Sequence, residues 1–322
     1  MQTTEHDAPH RGRQALRPTE IPLKGWKDIL LRTKDELGND SVGLIAAGVA
    51  FYALLAVFPF IGTLITGWSL LADPMQIERQ IEAAASALPQ DAAQIFIDQA
   101  RSVAEGAGGA ASLGAIAGVL FSLWSSSKGI NALMQGLNVV YDEEEHRSFV
   151  KQVLVKIGLS IGVVMGAALA VAATLILPAL FGTLGLGDTG QTLASILRWP
   201  LLFALVVIGL AVVYRYAPSR DAPRWQWVSP GALLGTAAWV LGTFAFSLYV
   251  RNFGSYNETY GSIGAVIIAL MWFWLSAYII LAGAELNAEM ERQTRRDTTI
   301  GGHEPMGERD AVAADTVGAA RP

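Results

Sequence analysis

The chain has 322 residues, 52% hydrophobic and 16% charged, with a formal net charge of −5 and no cysteine. Disulfides, thiolate metal sites and thiol nucleophiles are excluded. The acidic balance argues against a nucleic-acid partner, which would need a basic face.

Charge-free runs occupy 41–72, 157–187, 199–214, 225–250 and 259–284, and a sixth near 106–140 carries only Lys128. About 20 apolar residues in a helix cross the hydrocarbon core. Inside lipid the backbone must satisfy its own hydrogen bonds, which leaves helices or closed barrels. The runs are continuous rather than alternating, so the expected class is all-α: a polytopic membrane protein with six transmembrane helices.

In chain order, residues 1–20 are polar and basic and read as disordered. From Ile21 to Leu37, Trp26, Ile29, Leu30, Thr33 and Leu37 share one helical stripe edged by Lys24, Lys27 and Lys34. This is either an amphipathic helix on an anionic leaflet or a helix packed on the bundle. Together, 1–40 form a cytoplasmic N-terminal segment, and 41–290 form the membrane domain. The first apolar run starts near residue 42 and is too long for the core of a cleavable signal, so it reads as an uncleaved insertion signal. Pro59 within that run should kink the helix or open it locally.

The connection 73–111 is long and acidic. Ile77, Ile81, Ala84 and Leu88 recur at helical spacing, Pro89 breaks the pattern, and Ile95, Phe96 and Val103 suggest a second helix. The reading is a helical external insert, either a lid or a passive cap. Spans are expected near 42–71, 112–137, 154–178, 197–216, 229–250 and 261–287. Small-residue ridges at Gly114/Gly118, Gly158/Gly162/Gly166 and Gly231/Gly235 would let helix backbones approach closely. The tail from 291 to 322 is low in apolar content and reads as a disordered cytoplasmic segment.

Orientation follows from basic residues. With these spans, 18 Lys and Arg fall on the side of both termini, against four (Arg79, Arg101, Arg198, Arg251) on the other. The positive-inside rule places both termini in the cytoplasm. Trp68 and Trp199 would then mark the outer interface, Trp225 and Trp227 the inner one.

Chemistry could reside in three places. Trp124, Ser127, Lys128, Asn131, Gln135 and Asn138 form one polar stripe along the second span. It reads either as the wall of a solute pathway or as amides gluing helices while Lys128 snorkels. Glu285 and Asn287 end the sixth span as a gate or an ion pair. Tyr256, Glu258 and Tyr260 lie in a short loop that could shape an external mouth or only cap its helices. All four histidines lie in tails or a loop, which leaves no His-based metal site in the membrane. No nucleophile elbow, Walker A or H-E-x-x-H pattern occurs. No cofactor is expected.

Several stretches carry a resemblance: Ala46-Ala-Gly-Val-Ala-Phe-Tyr52 with Phe58-Pro59, Leu123-Trp-Ser-Ser-Ser127 to Asn138, and Tyr214-Arg-Tyr-Ala-Pro218. Phe253-x-x-Tyr256-x-x-x-Tyr260-Gly-Ser-Ile-Gly-Ala-Val and Gly283-Ala-Glu-Leu-Asn287 are the most specific. Over residues 25–291 the chain resembles the YihY/BrkB family of bacterial inner-membrane proteins, once labelled ribonuclease BN. The resemblance implies six membrane helices and a plasma-membrane location. It implies no settled activity, and the residues give the nuclease label no support. The expected function is transport or export, or flipping of small polar or amphiphilic solutes, with the bilayer as partner and no catalysis. The alternative is a non-catalytic scaffold for envelope integrity.

Overall fold

Continuous apolar sequence produces long helices whose apolar side chains point outward. The computed structural model describes residues 9–69, 94, 97, 128–183, 187–252 and 262–321. Its helices are α1 (Leu23–Asn39), α2 (Val42–Ser69), α3 (128–140), α4 (Phe149–Thr183), α5 (Gly187–Tyr216), α6 (Trp225–Asn252) and α7 (Ser262–Glu291), with a single turn, α8, at Val312–Asp315. Among the described residues there is no strand, only an isolated bridge between Pro223 and Thr299. Among the described residues, four stretches are long and apolar enough to cross a membrane: Phe149–Thr174, Thr192–Tyr216, Trp225–Arg251 and Val266–Glu291. A fifth counts if α1 and the start of α2 are taken as one bent span. Most of the expected second span, and the insert at 73–111 apart from two helical residues, lie outside the described residues.

Ile157, Ile161, Met165 and Leu169 of α4, Ile196 and Ile208 of α5, and Leu241 and Phe244 of α6 are exposed. A surface of that kind suits lipid rather than water. α2 continues as one helix past Pro59, and no break opens there.

The chain divides into two compact units, one of residues 1–43, 134–239 and 278–322, the other of 44–133 and 240–277. In the second, α3 comes close to α2 at Gly129, where a Cβ would stand 3.7 Å from the Tyr52 carbonyl oxygen. In the first, α4 and α5 pack along each other. An apolar cluster of Ala15, Ile21, Ile29, Trp227, Leu286 and Met290 joins the N-terminal segment to α1, α6 and α7. Trp227 is thus a core residue and not an interfacial one, whereas Trp225 and Trp199 are exposed.

Two glycine ridges with the same spacing behave differently. A Cβ on Gly231 would collide with the Gly283 carbonyl oxygen and with Asn287, and one on Gly235 would stand 3.3 Å from the Tyr214 hydroxyl. Here the glycines do let α6 meet α7 and α5. Around Gly158, Gly162 and Gly166, in contrast, no described atom lies within 4 Å of an added Cβ. Among the described residues the close contact expected of that ridge is not made, because the face of α4 that carries it looks outward from them.

Both terminal segments are packed where composition suggested disorder. Gln293, Thr294, Thr298, Thr299, Arg309, Ala313 and Ala314 are buried, as are Arg13 and Ala15. Hydrogen bonding supplies the order that apolar burial does not. Arg13 donates to the carbonyls of Arg292, Gln293 and Gly318, and Arg309 to those of Ala314, Glu304 and Arg295. The amides of Arg224 and Ile300 pair with the Thr298 and Ala222 carbonyls.

Candidate functional site

The end of α7 carries six polar or charged side chains in nine residues: Glu285, Asn287, Glu289, Glu291 and, just beyond the helix, Arg292 and Gln293. All of them are buried. Most are matched by partners far away in sequence, and each match has an identifiable job.

Asn287 binds α7 to α6. Its Oδ1 accepts the Gly231 amide at 2.8 Å, and its Nδ2 donates to the Val228 carbonyl at 3.2 Å. The clamp falls in the first turns of α6, next to Pro230, which has no amide to donate. Tyr214, fully buried on α5, donates its hydroxyl to the Ile280 carbonyl at 2.8 Å.

Glu289 is held from two sides. Arg32 of α1 reaches it through Nε, and Arg292 reaches it at 2.7 Å. Arg32 also donates to the Glu289 carbonyl, to Gln293 and to the Ala319 carbonyl. Arg292 in turn pairs with Asp142 beyond α3. Glu291 is paired with Arg220 at 2.7 Å, both side chains fully buried, and accepts the Thr298 hydroxyl at 2.6 Å. The Arg220 guanidinium lies 4.9 Å from the centre of the Tyr141 ring. Asp28 of α1 receives Arg11 at 2.7 Å and the Arg321 amide.

Glu285 differs from its neighbours. It is 0% exposed, and neither carboxylate oxygen has a hydrogen-bond partner. One turn away, Glu289 has two arginines; Glu285 has none within hydrogen-bond reach among the described residues. The charges that act on it are Glu289, Asp40 and Glu36, with Arg292 opposing them. The Tyr141 hydroxyl, also buried, interacts with the Asn287 side chain and feels the charges of Glu291, Arg220 and Glu285.

Asp40, in the turn between α1 and α2, sits at the edge of the same acidic group. Burial, together with Asp142 and Glu36, pushes its carboxyl up to about 6, against the pull of Arg292. A different arrangement governs Glu145, where the Arg147 guanidinium holds the carboxyl down at about 2. Arg147 donates as well to the carbonyls of Tyr216 and Ala217, a favourable place for a cation at the C-terminus of α5.

The polar stripe of the second span lies only partly within the described residues. Trp124 and Ser127 lie outside the described residues. Lys128 and Gln135 are exposed, and Asn131 is half-buried. Asn138 is buried and committed: its Oδ1 accepts the Ser219 amide at 2.8 Å and its Nδ2 approaches Glu145 at 3.4 Å. Tyr256, Glu258 and Tyr260 lie outside the described residues. The ion-pair alternative for Glu285 finds no base bonded to it among the described residues. No group of three or more His, Cys, Asp or Glu among the described residues could hold a metal ion.

Arg32, Asp40, Tyr141 and Arg292 are not singled out by the sequence, and Tyr214 only as part of a stretch that carries the resemblance. One signal was present in α1, where Asp28 and Arg32 share a face with Ile29 and Thr33. Charges at apolar positions of an amphipathic helix point to buried pairing.

The family model described as "Virulence factor BrkB" matches residues 33–306. The ribonuclease-like protein YfkH of Bacillus subtilis (strain 168) is 31% identical over 266 residues, 78% of this chain and 90% of YfkH. A UPF0761 membrane protein of Albidiferax ferrireducens is 26% identical over 275 residues, 84% of this chain and 64% of that protein. Another, of Methylibium petroleiphilum, is 24% identical over 281 residues, 86% of this chain and 66% of that protein. The chain therefore spans about two thirds of these UPF0761 relatives. No solved structure matches.

Proposed function

The chain belongs to the Virulence factor BrkB family, and from that premise we propose that it is a transporter or exporter, or a flippase, of small polar or amphiphilic solutes in a bacterial plasma membrane. Both termini are cytoplasmic in this reading, and Glu285 is the gating group at the cytoplasmic end of α7. The observation that carries it is the Glu285 carboxyl, fully buried in an apolar helix with neither oxygen bonded. Ionisable groups inside membrane helices are costly and mark ion, proton or substrate pathways. A group without a permanent partner is free to exchange a proton or a cation as a path opens and closes. Lys128, Asn131 and Gln135 are the pathway residues proposed from the second span.

A second reading, a non-transporting scaffold for envelope integrity, is favoured by one observation. The amides Asn138 and Asn287 are spent on fixed bonds between elements. No catalytic activity is proposed, and the ribonuclease-like wording is said of YfkH and not of this chain.

Flux through the purified protein in liposomes, measured with a panel of zwitterionic osmolytes and short-chain fluorescent lipids at several pH values, separates the readings. Pathway transport predicts flux above empty liposomes and its loss in Glu285→Gln with retention of fold. Absence of flux for every solute class, with a folded protein, would leave the scaffold.

A further inference from the structure

α1 has two faces, one buried against the protein and one exposed. Gly25, Asp28, Ile29, Arg32 and Thr33 are buried. That face is fixed by Arg11 on Asp28, by Arg32 on Glu289 and by the apolar cluster around Ile29. On the other face Leu23 is 88% exposed and Leu30 56% exposed. Residues 23, 27, 30 and 34 fall one above another at helical spacing, and Lys24, Lys27 and Lys34 are all exposed. Asp35, the acid beside them, is paired with Arg321 at 2.8 Å. The outer face is therefore leucine and lysine, with its adjoining acid neutralised from within the protein.

Three residues after α1 the chain enters the apolar helix α2 at Val42. α1 is consequently tethered beside the membrane surface by a connection too short to let it leave. The same unit carries an aromatic marker of a membrane boundary: Tyr216 and Trp225 are half exposed, and the Arg215 guanidinium lies 4.5 Å from the Trp225 ring. A helix that presents leucines flanked by lysines matches the chemistry of anionic headgroups over acyl chains. In a helix facing only water, the positions of Leu23 and Leu30 would be polar.

We propose that the Leu23–Lys27–Leu30–Lys34 face of α1 is a docking surface for anionic phospholipid headgroups of the membrane that α2 enters. The inner face is locked to the C-terminal segment through Arg32, Asp28 and Arg321. Binding of acidic lipid thereby couples to the packing around Glu289 and Asp40. The proposal is independent of whether the protein transports a solute.

The absence of cysteine makes the test direct. The full chain with Leu30→Cys or, separately, Leu23→Cys carries a polarity-sensitive fluorophore, and Glu304→Cys, exposed in the tail, serves as the aqueous control. Each is reconstituted in vesicles of phosphatidylcholine alone or mixed with phosphatidylglycerol. Iodide and lipid-attached nitroxide are the two quenchers. With phosphatidylglycerol present, the probes on α1 should be several-fold less quenched by iodide than the Glu304 control, and quenched by nitroxide lipid. The combined change of Lys24, Lys27 and Lys34 to Gln, or high salt, should abolish that protection. Two outcomes overturn the proposal. One is iodide access equal to the control in both compositions. The other is protection that is equally strong without phosphatidylglycerol and survives the Lys→Gln changes, which would indicate cover by protein or by a second copy.

Discussion

Two glutamates one turn apart on α7 give opposite expectations when made apolar. Glu285→Met removes a carboxyl that is fully buried and has no hydrogen bond. A buried polar group left unsatisfied costs about 1–3 kcal/mol. A swap that nearly conserves volume costs less than about 1.5 kcal/mol in repacking. The net expectation is a gain of about 1 kcal/mol in stability. Glu289→Met instead strips Arg32 of its partner in a pair whose side chains are 5% and 1% exposed. Breaking a buried pair from one side costs about 3–5 kcal/mol. The two variants should therefore differ by about 4–6 kcal/mol, the sum of that gain and that loss. Thermal unfolding in detergent, followed by circular dichroism and by monodispersity on size exclusion, reads the difference. Solute flux read alongside should fall in Glu285→Met in spite of its better stability, the trade expected of a strained functional group. The reasoning fails if Glu285→Met is destabilised as much as Glu289→Met, since Glu285 would then be a member of the structural network.

The two glycine ridges should separate as cleanly. Gly231→Ala drives a methyl into the Gly283 carbonyl and disturbs the Asn287 clamp, for a loss of about 1–3 kcal/mol from overpacking; Gly162→Ala meets open space and should lie within about 0.5 kcal/mol of the parent or gain from helix propensity. Equal stability of the two variants in the same melts would show that α6 and α7 do not meet at glycine. Asp40→Asn should raise thermal stability at neutral and alkaline pH. The folded carboxyl titrates near 6 against an ordinary 3.8, so the folded protein binds its proton more tightly and Asp40 costs stability as pH rises through that window. The benefit of the Asn variant should shrink as pH falls from 6 towards 3.8, and a benefit independent of pH would refute the assignment.

Membership of the membrane class was legible at once, because a run such as 157–187 without charge has no stable place in water and only one secondary structure open to it in lipid. The positions of α4 to α7, and α1 with its two faces, follow from the same logic of period and polarity. Partnership was not legible. Gly158/Gly162/Gly166 and Gly231/Gly235 share one spacing, yet among the described residues only the second ridge is opposed by another backbone. A ridge states that close approach is allowed and not that a neighbour arrives. The terminal segments lacked apolar residues and so lacked the usual sign of order, but Arg13, Arg32 and Arg309 order them by donating to carbonyls, a kind of cohesion that composition does not register. The same holds for the site. Asn287 and Glu285 stand two residues apart, equally polar and equally buried, and the sequence treats them alike. Only the tertiary structure decides that the first is spent on α6 and that the second has no hydrogen-bond partner among the described residues. Whether a buried polar group is satisfied depends on what the chain brings back from far away, as with Arg32 and Glu289, 257 residues apart. Local pattern sets which groups enter the interior, and distant contacts set which of them are left to act.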